Sequence, residues 1–110
     1  MELLTKLEEM VLIAVLRLKE KAYGIAIYNH IADLTGNKAA ISSIYFPLER
    51  LVRQGYLSCV MGEPTPVRGG MRKKFYRLTK EGLEALQENR DLTEKAWLGL
   101  GKLKPESPKE

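Results

Sequence analysis

The strongest constraint on this chain is an apolar stripe near its N-terminus. Leu7, Met10, Val11, Ala14, Val15 and Leu18 recur at the i, i+3, i+4, i+7, i+8, i+11 spacing of an amphipathic helix. Thr5, followed three residues later by Glu8, supplies a capping box in which hydroxyl and carboxylate each satisfy a backbone amide of the first turn. Leu12, Ile13 and Leu16 widen the stripe well past one face. A helix apolar on most of its surface has to be covered from more than one side. The first helix, over residues 5–19, therefore has two clients: the rest of its own domain and a subunit interface.

The following segments supply the first client. Tyr23-Gly24 opens a second helix with Ile27, Ile31 and Leu34 on one face, and Gly36 is a natural stop. After a short connection over residues 37–40, Ser42 or Ser43 is placed to cap a third helix that runs to Gln54. Ile44, Leu48, Leu51 and Val52 point inward on it, Pro47 falls early enough to be tolerated, and Gly55 closes it. Leu57–Met61 and Lys74–Leu78 are short β-prone runs separated by a stretch dense in Gly and Pro, so they read as a hairpin with a long tip. Tyr76 and Leu78 are assigned to the inner face, and Cys59 reads as a small buried hydrophobe. Thr79 caps a fourth helix carrying Leu83, Leu86, Leu92, Ala96, Trp97 and Leu100, its stripe interrupted by the polar residues Gln87 to Asp91. Residues 102–110, with Pro105 and Pro108, read as a disordered tail. The expected fold is mainly α with a small β-hairpin: a winged helix-turn-helix followed by a long C-terminal helix.

The chain has 110 residues and a net charge of +4, and the excess is concentrated. Residues 68–80 hold Arg68, Arg72, Lys73, Lys74, Arg77 and Lys80 with no acid among them, while the first 67 residues are balanced. A basic cluster of this kind attracts polyanions far better than the same charge spread out. Other chemistries find little to work with. Cys59 is the only cysteine, which excludes an internal disulfide and a multi-cysteine zinc site. His30 is the only histidine and has no second ligand nearby in sequence. Glu8, Glu9, Asp91 and Glu94 read as helix surface, and neither a phosphate-cradling loop ending in Lys-Ser/Thr nor a dinucleotide turn is present. No enzyme activity, cofactor or metal is implied. The longest apolar run, Met10 to Leu16, is far short of the roughly 20 residues a membrane span requires. The chain therefore reads as cytoplasmic.

Four segments in register resemble the PadR family of bacterial and archaeal transcriptional regulators. They are Tyr23-Gly24; Ile44 to Leu51; Gly55-Tyr56-Leu57; and Gly69 to Gly82, which includes Gly70-Met71-Arg72-Lys73-Lys74-Phe75-Tyr76-Arg77-Leu78-Thr79. The short C-terminal part is similar to the smaller subfamily, in which one long helix per subunit builds a homodimer. One departure is Phe46, which stands between Tyr45 and Pro47 where many members place proline directly after tyrosine. The resemblance implies residues 1–82 as a winged-helix DNA-binding domain, residues 83–101 as a dimerisation helix, and repression of a promoter through a pseudo-palindromic operator. MarR-type regulators are the fold-level alternative, and a winged-helix module that binds protein without DNA is the functional one.

Double-stranded DNA and a second copy of the chain are the expected partners. The expected DNA contacts are Tyr23 at the start of the second helix; Ser42, Ser43, Tyr45, Phe46 and Arg50 on the third; and Arg68, Gly69, Gly70, Arg72, Lys73 and Lys74 on the hairpin. Each has a blander alternative: Ser42 and Ser43 as caps only, Tyr23 and Tyr45 as packing, Arg50 as a solvated charge paired with Glu49 or Asp33. Arg77 and Lys80 read as ordinary surface. The expected dimer interface takes Met10, Leu12, Ile13 and Leu16 from the first helix and Leu86, Leu92, Ala96, Trp97 and Leu100 from the last. By resemblance alone, Trp97 is also a contact for a flat lipophilic effector; simple packing at the interface is the other reading.

Overall fold

A computed structural model describes residues 3–36, 40–62 and 73–105. The elements run α1 (Lys6–Leu18), a 3-10 turn (Lys19–Lys21), α2 (Gly24–Thr35), a second 3-10 turn (Ile41–Ile44), α3 (Tyr45–Arg53), β1 (Leu57–Met61), β2 (Lys74–Leu78) and α4 (Lys80–Trp97). This is the expected winged-helix order, with a two-stranded antiparallel hairpin in register from Leu57 opposite Leu78 to Met61 opposite Lys74.

The capping box opens α1 as its sequence dictates. The Glu8 amide donates to Thr5 Oγ1 at 3.1 Å, and the Thr5 amide donates to Glu8 Oε1 at 2.9 Å. Val11, Leu12, Ala14 and Val15 then enter a single core with Ile27, Ile31, Ile44, Leu48, Leu51, Leu57, Tyr76 and Leu86. The hairpin is pinned to this body at its inner strand. The Tyr76 amide donates to the Ala22 carbonyl at 2.8 Å, and Tyr23 forms a bridge with Phe75, so the α1–α2 connection lies along β2. Arg77 at the hairpin base donates through Nη1 to the Lys19 carbonyl at 2.8 Å.

Helix ends follow backbone chemistry. Gly36 ends α2 at φ 69° and Gly55 follows α3 at φ 83°, both in the left-handed region that side chains disfavour. Thr79 caps α4 by accepting from the Gly82 amide at 2.9 Å, while its own hydroxyl donates to the Gly55 carbonyl at 2.6 Å. Its amide donates to the Tyr56 carbonyl at 3.1 Å. The start of α4 is thereby clamped to the turn after α3.

Several expectations need correction. The third helix begins at Tyr45 rather than at a serine cap: Ser42 and Ser43 lie in the 3-10 turn, and the Ser43 hydroxyl bonds back to the Ala40 carbonyl. Cys59 is exposed, because on β1 only Leu57 is buried and the strand then leaves the body. Glu8 is not surface but 4% exposed. Leu12 (0% exposed) and Leu86 (8%) are packed into the chain's own core, and Leu86 also borders the open surface between α1 and α4. The helix ends at Trp97, so Leu100 lies beyond it. The polar break in α4 also has a purpose. Asn89 is buried, its Nδ2 donates to the Ala85 carbonyl at 2.8 Å, and its Oδ1 accepts from the Leu4 amide at 3.1 Å.

A methyl group at position 82 would be driven into the Tyr56 carbonyl oxygen, which is backbone and cannot step aside. Gly82→Ala is expected to cost about 3 kcal/mol in urea unfolding at fixed protein concentration. Exposed Glu84→Ala, two residues on, is the control and should change stability by no more than about 0.5 kcal/mol.

Candidate nucleic-acid interface

Three segments distant in sequence meet at one open cleft of about 600 Å³, lined by Tyr23, Gly24, Ile25, Tyr45, Glu49, Lys73, Lys74 and Tyr76. The pairing of Tyr76 with Ala22 creates it, by setting the hairpin base beside the start of α2. The Tyr45 ring lies against Gly24, where a β-carbon would make ordinary contact with Tyr45 Cε1 at 3.4 Å. Tyr23 packs edge-on against Phe75 with ring centres 5.7 Å apart, and Lys73 Nζ stands 4.1 Å from the centre of the Tyr23 ring. That cation–π contact holds an ammonium at the cleft without neutralising it. Tyr23 provides no side-chain cap for α2, so the first-turn amides and the positive end of the helix dipole are also at this cleft. Lys73, Lys74 and a helix N-terminus together suit an anionic ligand such as a phosphate. Glu49 is the one acid among the lining residues.

Beside the cleft lies the exposed side of α3. Ile44, Pro47, Leu48 and Leu51 are buried, while Ser42, Tyr45, Phe46, Glu49 and Arg53 are exposed and Ser43 is half-buried. Arg50 differs from expectation. Its Nε lies 3.4 Å from Oε2 of Glu8, the buried carboxylate of α1, a partner from another helix that the sequence neighbourhood of Arg50 does not suggest. Sequence reasoning missed this because Glu8, at the third position of a capping box, reads as a surface acid. Arg68, Gly69, Gly70 and Arg72 lie outside the described residues; Lys73 and Lys74 are exposed where β2 begins.

A second groove of about 590 Å³ runs between α1 and α4, bordered by Ile13, Leu16, Leu83 and Leu86 with charged residues at its rim. Leu16, Leu83, Leu92, Trp97 and Leu100 are each about half exposed or more, whereas Met10 and Ile13 are half-buried against the core. Ala96 is exposed. Among the described residues no group of three or more His, Cys, Asp or Glu side chains could hold a metal, and no helix is long and apolar enough to cross a membrane.

The profile of the PadR-like transcriptional regulator family matches residues 12–88, most of the chain and nearly all of the winged-helix body. The chain belongs to the PadR-like family of transcriptional regulators. A PadR family transcriptional regulator of Eggerthella lenta is similar at 30% identity with a TM-score of 0.66, over 84% of this chain and 78% of the other. A transcriptional regulator of Streptococcus matches at 28% identity and a TM-score of 0.63, over 82% of this chain and 87% of its own. A PadR family regulator of Clostridium difficile shares the fold at 20% identity and a TM-score of 0.65, over 84% and 95% of the two chains. No curated protein sequence matches.

The buried groups of this PadR body lead to two measurable outcomes. Burial holds the Tyr76 phenol above the ordinary 10.0, with the negative ends of Cys59, Glu49 and Tyr45 adding to the effect. The folded state therefore keeps that proton more tightly than the unfolded chain, so stability falls as pH rises past 10.0 and on through the folded value. Denaturation measured on either side of that pH should show a shallower decline for Tyr76→Phe. At the other end of the body, Glu8→Ala removes both the Thr5 cap partner and the Arg50 counterion, and should cost about 2 kcal/mol. Glu8→Gln keeps an acceptor for the Thr5 amide and loses only a charge paired with a partly exposed arginine, so its cost should be about 1 kcal/mol or less.

Proposed function

We propose that this chain is a homodimeric repressor that binds double-stranded DNA sequence-specifically, in the cytoplasm, at a pseudo-palindromic operator. The observation that carries the reading is the shared cleft. Lys73, Lys74, the Tyr45 hydroxyl and the amino end of α2 line it, next to the exposed first turn of α3. In a helix-turn-helix the N-terminal end of the recognition helix enters the major groove while flanking groups hold the phosphates. In this reading α3 is the recognition helix, Tyr23, Lys73 and Lys74 hold the backbone, and Ser42, Ser43, Tyr45 and Phe46 face base edges or adjoining phosphates. Arg68, Gly69, Gly70 and Arg72 continue the same basic run toward the hairpin tip and take the neighbouring phosphates or minor groove. Arg50, already engaged by Glu8, holds α3 and is left out of the contact set.

Dimerisation is supported by the uncovered α1–α4 groove and by the apolar residues left outside the core. Leu16, Leu83, Leu92 and Trp97 would be covered by α4 of a second copy, with Met10, Ile13, Ala96 and Leu100 at the margins. Trp97 packs at this interface; a flat lipophilic effector beside it is the role that family resemblance alone supplies. Two copies related by a two-fold axis would place two α3 helices about 34 Å apart, one turn of the duplex.

Sedimentation should find a dimer, and Leu16→Glu with Leu92→Glu should shift it toward monomer. For DNA, Lys73→Ala with Lys74→Ala should weaken binding to matched and scrambled duplexes alike. It should also flatten the dependence of log affinity on log salt by about 0.9 for each phosphate that the variant no longer neutralises. Tyr45→Phe and Ser43→Ala should instead change which duplex is preferred. Band shifts across a salt series would read both; a chain with no salt-sensitive duplex binding at micromolar concentration would favour a protein-binding winged helix.

A further inference from the structure

The face of α3 that points directly away from the core carries Phe46, Glu49 and Arg53, spaced three and seven residues along one helical stripe. Ile44, Leu48 and Leu51 on the opposite side are all 0% exposed, so this stripe is the outermost part of the helix. Phe46 leads it, in the first turn, and is 67% exposed. Among the described residues its ring pairs with no other ring; the aromatic pair there is Tyr23 with Phe75. Neither Phe46 nor Glu49 suits a phosphate, since one has no donor and the other is negatively charged. Of the cations that can hold a backbone, Lys73 and Lys74 lie to one side at the cleft, and Arg53 stands at the far end of the stripe, away from the first turn that carries Phe46. A stripe with this chemistry on a groove-entering helix is left to meet base edges.

Building on the DNA-binding reading above, we propose that Phe46 is a specificity-determining residue that reads a thymine by packing on its C5 methyl group. A phenyl ring offers no hydrogen bond to the N7, O6, O4 or amino groups that distinguish bases in the major groove. The thymine methyl is the one apolar feature presented there, and apolar side chains recognise it by contact. The selectivity is hydrophobic: covering one methyl from water is equivalent to about fourfold in affinity. The operator therefore carries a thymine facing the first turn of each α3, and a cytosine at that position binds less well because it lacks the methyl.

The test uses the full chain and a duplex enriched by it from a random pool. That duplex is resynthesised with deoxyuridine replacing thymidine at one symmetric pair of positions at a time, which deletes the methyl and leaves base pairing intact. For one pair, affinity should fall about fourfold per methyl, and so about fifteenfold for the dimer. Phe46→Ala should bind the thymidine and deoxyuridine duplexes equally, and Phe46→Leu should retain part of the difference. Because Phe46 is exposed, the alanine variant should melt with the wild type by circular dichroism. Wild-type protein indifferent to every replacement, or an alanine variant with the wild-type thymidine-to-deoxyuridine ratio, overturns the assignment while leaving DNA binding intact. A pool from which no duplex is enriched overturns the DNA-binding reading itself, so the two failures are distinguishable.

Discussion

A buried carboxylate organises this molecule. Glu8, 4% exposed, closes the cap of α1 through one oxygen and meets Arg50 of α3 through the other. Burying an ionised group is costly unless it is hydrogen-bonded and paired, and both conditions are met by segments that have to be in place together. The start of α1 and the α3 helix are thus fixed by one side chain. The residue before the cap extends the arrangement, because the Leu4 amide is held by Asn89 of α4. A continuous run of polar contacts therefore passes from the C-terminal helix, through the backbone of Leu4 and Thr5, to α3. Hydrophobic burial supplies most of the driving force for this fold, but it is non-directional; these contacts set where α3 and α4 sit relative to α1.

Much of the architecture is legible in the sequence because it is local. The spacing of apolar residues from Leu7 to Leu18 and the Thr5–Glu8 pair define α1, and glycines at 36 and 55 mark the ends of α2 and α3. The change to β-prone runs flanking a Gly- and Pro-rich stretch locates β1 and β2. What is hidden depends on tertiary placement. Glu8 reads as surface because its counterion Arg50 comes from another helix, and Asn89 reads only as part of a break in the α4 stripe because the Leu4 amide that it accepts from lies far away in sequence. Periodicity also gives the direction a residue faces without saying which neighbour covers it. Within the broad stripe of α1, Leu12 went to the chain's own core while Leu16 stayed outside it, a division that spacing alone does not make. Cys59 failed for a related reason: alternation along β1 means nothing once the strand has left the body, and its outer four residues are all exposed.

The candidate site divides in the same way. Its basic character is visible as a run of cations, and its family as four short segments in register. The cleft itself is not visible, because Tyr23, Tyr45 and Lys73 are brought together only when β2 pairs with the α1–α2 connection. One hint was present: Lys73 lies one residue before β2, the strand that pairs with the α1–α2 connection. Two tasks are thereby separated in space. Cations and helix amides gather at the cleft, where they suit phosphates, while the adjoining stripe of α3 bears an aromatic ring and a carboxylate that suit bases.

That separation rests on the claim that the cleft and the exposed turn of α3 form one contact surface for a duplex. Amide chemical-shift mapping of the 15N-labelled chain against an enriched duplex tests it most directly. The largest changes should fall on Gly24, Ile25, Tyr45, Phe46, Lys73 and Lys74, with His30 and Glu84 undisturbed. Changes centred instead on α1 and α4, with those six amides unmoved, would contradict the account.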